Sequence, residues 1–199
     1  MAKILVIQTA FLGDAVLATA VLETIHRESP DAQISLLVRK GNEGLFAGHP
    51  FLHEMLVWDK QRHKYRNWLQ LLFRIRKARY DRVITLQRFA STGLWTAASG
   101  ATFRAGFSKN PLSVFFTHRV EHELSAASAS LHEVERNHQL LTAFVKGHPH
   151  LPKLYPSEAD SVRGRPRASL SGGTAAARRG AWSPRRRRSR RPTRRPSFP

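Results

Sequence analysis

Apolar residues along residues 1–160 recur in two alternating patterns. Residues 3–9 (KILVIQT), 33–38 (QISLLV), 54–58 (EMLVW), 82–87 (RVITLQ) and 103–107 (FRAGF) are short runs of aliphatic and β-branched side chains. Runs of this length, apolar on both faces, predict strands buried in a parallel sheet. Between them the spacing becomes helical. Val16, Ala20, Val21, Thr24 and Ile25 mark a helix over 15–28. Trp68, Leu69, Leu71, Leu72 and Ile75 mark one over 65–78, and Val134, Leu140, Leu141 and Phe144 one over 131–145. Shorter helical segments are predicted at 42–48 and 92–99. Asp14 occupies an N-cap or first-turn position, and Pro30-Asp31 ends the first helix. Alternating strands and helices imply right-handed βαβ units, hence an α/β fold with a doubly wound, mostly parallel sheet. Ligands of such sheets bind beyond the carboxyl ends of the strands, which points to the loops 9–14, 39–43, 59–64 and 87–92.

Charge changes the picture only at one end. The 199 residues hold 33 Lys and Arg against 14 Asp and Glu, a net charge of +19. Thirteen of the arginines and none of the acids lie in 161–199, so the balance over 1–160 is only +6. Arg, Ser, Ala, Gly and Pro make up 33 of those last 39 residues. Such a segment cannot bury enough apolar surface to offset chain entropy and is expected to be a disordered tail. All five residue types have GC-rich codons, so the tail is expected to be frameshift-derived. Residues 1–160 are long enough for one domain with a real core. Cysteine is absent, which excludes disulfides and thiolate chemistry. No apolar run approaches the roughly 18 residues that span a bilayer. The start MAKILVIQT lacks the marks of a signal peptide, and a cytoplasmic location is expected.

Several chemistries are absent by motif. The first loop, Ala10-Phe11-Leu12-Gly13-Asp14, is neither GxGxxG nor a P-loop. No HExxH or GxSxG occurs, and none of the ten histidines has strong metal-ligand spacing. What remains is Asp14 at a helix N-terminus, where the dipole favours a carboxylate. There it is either a capping acid or a general base able to take a proton from a sugar hydroxyl. The run Lys60-Gln61-Arg62-His63-Lys64-Tyr65-Arg66 is either a solvated helix start or a docking site for a phosphorylated or carboxylated acceptor. The arginine tail could contact nucleic acid or anionic membrane by charge alone, which would make the chain a non-catalytic basic binding protein. Its poverty in aromatics argues against base stacking and makes a nucleic-acid partner the weaker option.

Four blocks together carry a resemblance: 3–14 (KILVIQTAFLGD), 80–87 (YDRVITLQ), Gly106-Phe107 followed by Pro111-Leu112-Ser113, and 132–141 (HEVERNHQLL). In order and spacing they resemble the N-terminal half of the ADP-heptose:lipopolysaccharide heptosyltransferases, glycosyltransferase family 9. The resemblance covers about residues 1–160. It implies a GT-B fold, with two Rossmann-like domains facing a cleft, of which this chain holds the acceptor-binding one. It implies an inverting transfer of heptose from ADP-heptose to the lipopolysaccharide inner core, with Asp14 as catalytic base. Thr9, Gly13, Lys60, Arg62 and Lys64 are the residues expected at the acceptor. ADP-heptose is the implied donor substrate, and no metal or other cofactor is implied. The implied partner is the lipopolysaccharide core at the inner face of the plasma membrane, where the protein would sit peripherally; nothing in the sequence bears on oligomeric state. Family members are about twice as long as 1–160, so the chain is expected to be an inactive fragment without the donor domain.

Overall fold

The computed structural model describes residues 1–121 and 132–156. Six strands form one sheet: β1 (Lys3–Gln8), β2 (Gln33–Arg39), β3 (Leu52–Trp58), β4 (Arg82–Thr85), β5 (Phe103–Phe107) and β6 (His118–Val120). Their order is β3-β2-β1-β4-β5-β6, and every pairing is parallel. Four α-helices accompany them: α1 (Leu12–Glu28), α2 (Lys64–Ala78), α3 (Ala90–Ala98) and α4 (Glu133–Gln139). The doubly wound parallel sheet expected from the apolar runs is thus the observed architecture.

Side-chain alternation along β1 divides the core in two. Ile4 and Val6 face a layer formed with Ala15, Ala18, Leu22 and Ile25 of α1 and with Leu140, Leu141 and Val145. Leu5 and Ile7 face the other layer, with Leu71 and Ile75 of α2 and Trp95 of α3. Helices on both faces explain why β1 and β2 are apolar throughout rather than alternating. On the second face Trp95 packs edge-on to Trp58 and stacked on Trp68, with centroids 4.8 and 5.6 Å away. Both indoles donate to carbonyls, Trp95 to Trp68 and Trp68 to Ser91, so their polar edges are satisfied.

α1 is buried on more than its sheet-facing side. The segment 150–155 lies along its outer face. The His150 amide donates to the Thr24 hydroxyl oxygen, the Lys153 amide to that of Thr19, and the Tyr155 hydroxyl to Glu23.

Element bounds differ from the pattern in instructive ways. α1 starts at Leu12, three residues before the apolar stripe, and its N-cap is Phe11 without a side-chain cap. Asp14 is therefore a first-turn acid, not the N-cap. β4 ends at Thr85, although the Leu86 amide still donates to the Ile7 carbonyl. β6 is a three-residue edge strand, too short and too polar for the pattern to mark. The helix expected over 131–145 is α4 alone, with residue 131 outside the described residues. After Gln139 several backbone bonds tighten to i→i+3, Leu141 to His138 and Phe144 to Leu141, which turns Leu140 and Leu141 into the core. The expected boundary at 160 and the tail 161–199 lie outside the described residues.

Candidate functional site

The strand order reverses between β1 and β4: β2 and β3 lie on one side of β1, and β4, β5 and β6 on the other. A crevice opens at such a switch point because the two flanking loops leave in opposite directions. Here a cleft of about 620 Å3 lies at that place. Gln8, Thr9, Ala10, Phe11 and Asp14 contribute from β1 and α1, and Leu86, Gln87, Arg88 and Phe89 from the chain after β4. Arg39 enters from the end of β2, Lys60 from beyond β3, Lys109 from beyond β5, and Glu133 and Arg136 from α4.

The floor of the cleft is pinned by buried hydrogen bonds. The Gln87 side-chain oxygen accepts both the Thr9 amide, at 3.1 Å, and the Thr9 hydroxyl, at 2.7 Å. A backbone N–H can only donate, so this contact fixes which end of the Gln87 amide faces Thr9. The Gln87 nitrogen is left buried and without a partner among the described residues. Gln8 accepts the Ala10 amide, and the Asn42 side chain donates to the Ala10 carbonyl. Asn110, itself buried, donates to the Gln87 and Phe89 carbonyls and accepts the Leu112 amide. These bonds set the loop geometry without help from a ligand, which is the preorganisation a binding site needs.

The electrostatics favour an anion. Arg39, Lys60, Arg88, Lys109 and Arg136 face two carboxylates, Asp14 and Glu133. Glu133 is ion-paired with Arg136 at 2.7 Å. Asp14 has no hydrogen-bond or ion-pair partner among the described residues. Lys60 donates to the Thr9 carbonyl at 3.1 Å and lies 4.5 Å from the Trp58 ring centroid. Burial lowers the pKa of its ammonium, and the neighbouring charges of Arg39 and Lys64 act in the same direction. A bound anion would relieve that repulsion.

The residues singled out in the sequence divide into two groups. Thr9, Asp14 and Lys60 come together in the cleft. The Thr9 side chain is spent on Gln87, so Thr9 positions the floor rather than offering a free hydroxyl. Gly13, Arg62 and Lys64 are exposed and do not line the cleft. A Cβ at Gly13 would meet nothing within 4 Å, so no contact in the described structure demands glycine in this helical turn. Arg62 and Lys64 are turned away because His63 takes a left-handed conformation, with φ of 46°, and α2 begins immediately after it. Arg39, Gln87 and Arg88 lie in loops that the strand-end rule had marked. Lys109, Glu133 and Arg136 escaped residue-by-residue reasoning. Glu133 and Arg136 stand inside the 132–141 block of the family resemblance, which is the signal that could have found them.

No family model matches the chain. Lipopolysaccharide heptosyltransferase 1 of Campylobacter coli is 28% identical over 116 residues, which are 58% of this chain and 34% of that protein. Among solved structures, a family 9 glycosyl transferase of Veillonella parvula superposes with a TM-score of 0.72 at 18% identity, over 81% of this chain and 47% of that one. The ADP-heptose lipopolysaccharide heptosyltransferase II of E. coli gives 0.64 at 21% identity, over 81% of this chain and 49% of that one. The chain thus spans about a third of the curated relative's length and about half of each solved structure. The resemblance carried by the four sequence blocks is borne out, in sequence by a heptosyltransferase and in fold by family 9 glycosyltransferases. The shared fold is the Rossmann-like α/β architecture expected for one half of a GT-B enzyme.

Proposed function

We propose that residues 1–156 are the acceptor-binding half of a heptosyltransferase that acts on the lipopolysaccharide inner core. The observation that carries this reading is Asp14, the one cleft carboxylate without a charge partner among the described residues, in a cleft that five cations also line. The cations would hold the carboxylates and phosphates of an acidic inner-core acceptor. The acceptor hydroxyl would lie against Asp14. Its oxygen attacks the anomeric carbon of ADP-heptose while the Asp14 carboxylate takes the hydroxyl proton. The bond from that carbon to the diphosphate breaks, and ADP leaves with the electron pair. The configuration at the anomeric carbon inverts. The donor and the groups that stabilise departing ADP belong to a second domain, and the reaction as proposed asks for no resident metal or cofactor. The acceptor is lipid-linked, so the protein would work on the cytoplasmic face of the inner membrane, bound peripherally. No helix among the described residues is long and apolar enough to cross a membrane.

Lys60 and its exposed neighbours should separate in a binding test. Replacing Lys60 by Gln removes a half-buried cation inside the cleft. It should weaken binding of a soluble core oligosaccharide bearing acidic sugars and phosphate by about tenfold. Arg62→Gln and Lys64→Gln remove exposed charge outside the cleft. They should slow association and flatten its salt dependence while changing affinity by no more than about threefold. Calorimetric titration at low and high salt checks both. Equal affinity of Lys60→Gln and the parent protein would remove Lys60 from the acceptor site.

A further inference from the structure

The helix α2 leads directly out of the cleft, since Lys60 lines the cleft and the helix starts at Lys64. One face of α2 is accounted for: Leu71 and Ile75 are buried, and Trp68 and Leu72 pack against the same layer. The opposite arc is not. Tyr65, Leu69 and Phe73 are 78%, 48% and 68% exposed. Spaced four apart, at about 100° per residue, they form one continuous stripe along the helix. Arg66, Arg76 and Lys77 fall on the same arc. From Lys60 to Tyr80 the chain carries eight Lys and Arg and no Asp or Glu. Arg74 is paired with Glu54 on β3 and Arg76 donates to the Ala98 carbonyl, while Arg66 and Lys77 are exposed.

An ordinary surface helix does not expose three large apolar residues in line, nor does it gather cations at its own N-terminus, where the dipole opposes them. A helix with an apolar stripe bordered by Lys and Arg has the form of an interfacial helix. The side chains of such a helix enter the boundary of a bilayer, and its cations meet anionic headgroups. A second copy of the same face is disfavoured as the occupant, because pairing would set each cation run against its twin. A nucleic acid would use the charge and leave Leu69 and Phe73 without a role.

We infer that the Tyr65–Leu69–Phe73 face of α2 docks the protein on an anionic lipid bilayer, with the cleft mouth opening beside it. This deepens the reading of a lipid-linked acceptor by naming the surface and the lipid charge, and it rests on that reading only for its purpose. The cleft at the N-terminal end of α2 would then meet a lipid-anchored sugar near the headgroups from which it projects.

The test is co-sedimentation of the full 199-residue protein with vesicles of phosphatidylethanolamine and phosphatidylglycerol free of any lipopolysaccharide, at about 0.1 M and about 0.5 M salt. The arginines of residues 161–199 are present in every protein compared, so differences report on α2. Leu69→Ser combined with Phe73→Ser should lower the partition coefficient at least about tenfold at both salt concentrations, because loss of apolar insertion is not screened. Val114→Ser combined with Phe115→Ser, which removes exposed apolar residues elsewhere, should change it less than about twofold. Should the double serine variant fail to fold, Arg66→Glu with Lys77→Glu decides, with at least about a tenfold loss expected at low salt. Unchanged partition in the α2 variants would overturn the inference, as would complete loss of wild-type binding at the higher salt, which would leave only a charge contact. Because the vesicles carry no acceptor, failure here leaves the oligosaccharide titration untouched. Failure of that titration with vesicle binding intact would count against the acceptor site alone.

Discussion

On the function proposed above, Asp14→Asn should lower kcat for heptose transfer by about a thousandfold, while the protein stays folded. The size follows from losing a positioned base, typically about 10^2 to 10^4-fold, in a cleft with no second unpaired carboxylate among the described residues. Glu133 cannot stand in while it is ion-paired with Arg136. The fold should tolerate the change because Asp14 makes no hydrogen bond or ion pair among the described residues and is not the N-cap of α1. What is lost structurally is one favourable charge in the first turn, about 0.5 kcal/mol. The assay uses a chimera in which residues 1–156 replace the acceptor half of a family 9 enzyme, with ADP-heptose and a lipid acceptor as substrates. Normal kcat in the Asn variant of an active chimera would remove Asp14 from the mechanism.

Gly93→Ala should be a severely damaging single methyl group. A Cβ at Gly93 would overlap the Asn110 side-chain oxygen and lie 2.8 Å from its Cγ and Nδ2. Asn110 cannot give way cheaply. It is buried, and its amide bonds to the Gln87 and Phe89 carbonyls and to the Leu112 amide. Displacing it leaves those buried groups unpaired. Overpacking together with lost buried hydrogen bonds should cost about 2–4 kcal/mol in urea unfolding. Gly13→Ala is the contrast. Its Cβ meets nothing, so helix propensity should make it neutral or stabilising by up to about 1 kcal/mol. The loop carrying Gln87 and Phe89 is tied to β5 through Asn110, so Gly93→Ala should also weaken acceptor binding well before it unfolds the chain. A loss below about 0.5 kcal/mol would mean that α3 shifts freely, and that the cleft floor is not held as described.

The sheet was legible wherever burial on both faces produces an unbroken apolar run, as in Ile4–Ile7 and Ile34–Val38. It was illegible at β6, whose three residues His-Arg-Val pair at an edge and need no apolar pattern. The helix start at Leu12 was hidden because Leu12 and Gly13 are exposed and the amphipathic stripe begins only at Ala15. In the site, the strand-end rule located Asp14, Lys60, Arg39 and Arg88, since each lies one loop from a legible strand. It could not place Glu133 and Arg136, which reach the cleft only because Leu140 and Leu141 dock α4 in the α1 layer. Adjacency in sequence also misled. Lys60, Arg62 and Lys64 form one cluster on paper, but the left-handed turn at His63 leaves Lys60 alone facing inward. Tyr65, Leu69 and Phe73 show the reverse problem. Leu69 belongs to an apolar stripe by spacing, and only the packed structure separates the face that meets the core from the face that does not.

On the proposed function this cleft should receive the acceptor and not the sugar nucleotide. The most direct test is a pair of NMR titrations of the full chain, one with a soluble inner-core oligosaccharide and one with ADP-heptose. Each follows the backbone amides of Thr9, Asp14, Lys60 and Gln87. The oligosaccharide should shift these amides in a saturable manner, and ADP-heptose at the same concentrations should leave them in place. Shifts from ADP-heptose at lower concentration than the oligosaccharide requires, or no shifts from the oligosaccharide at all, would contradict this assignment of the cleft.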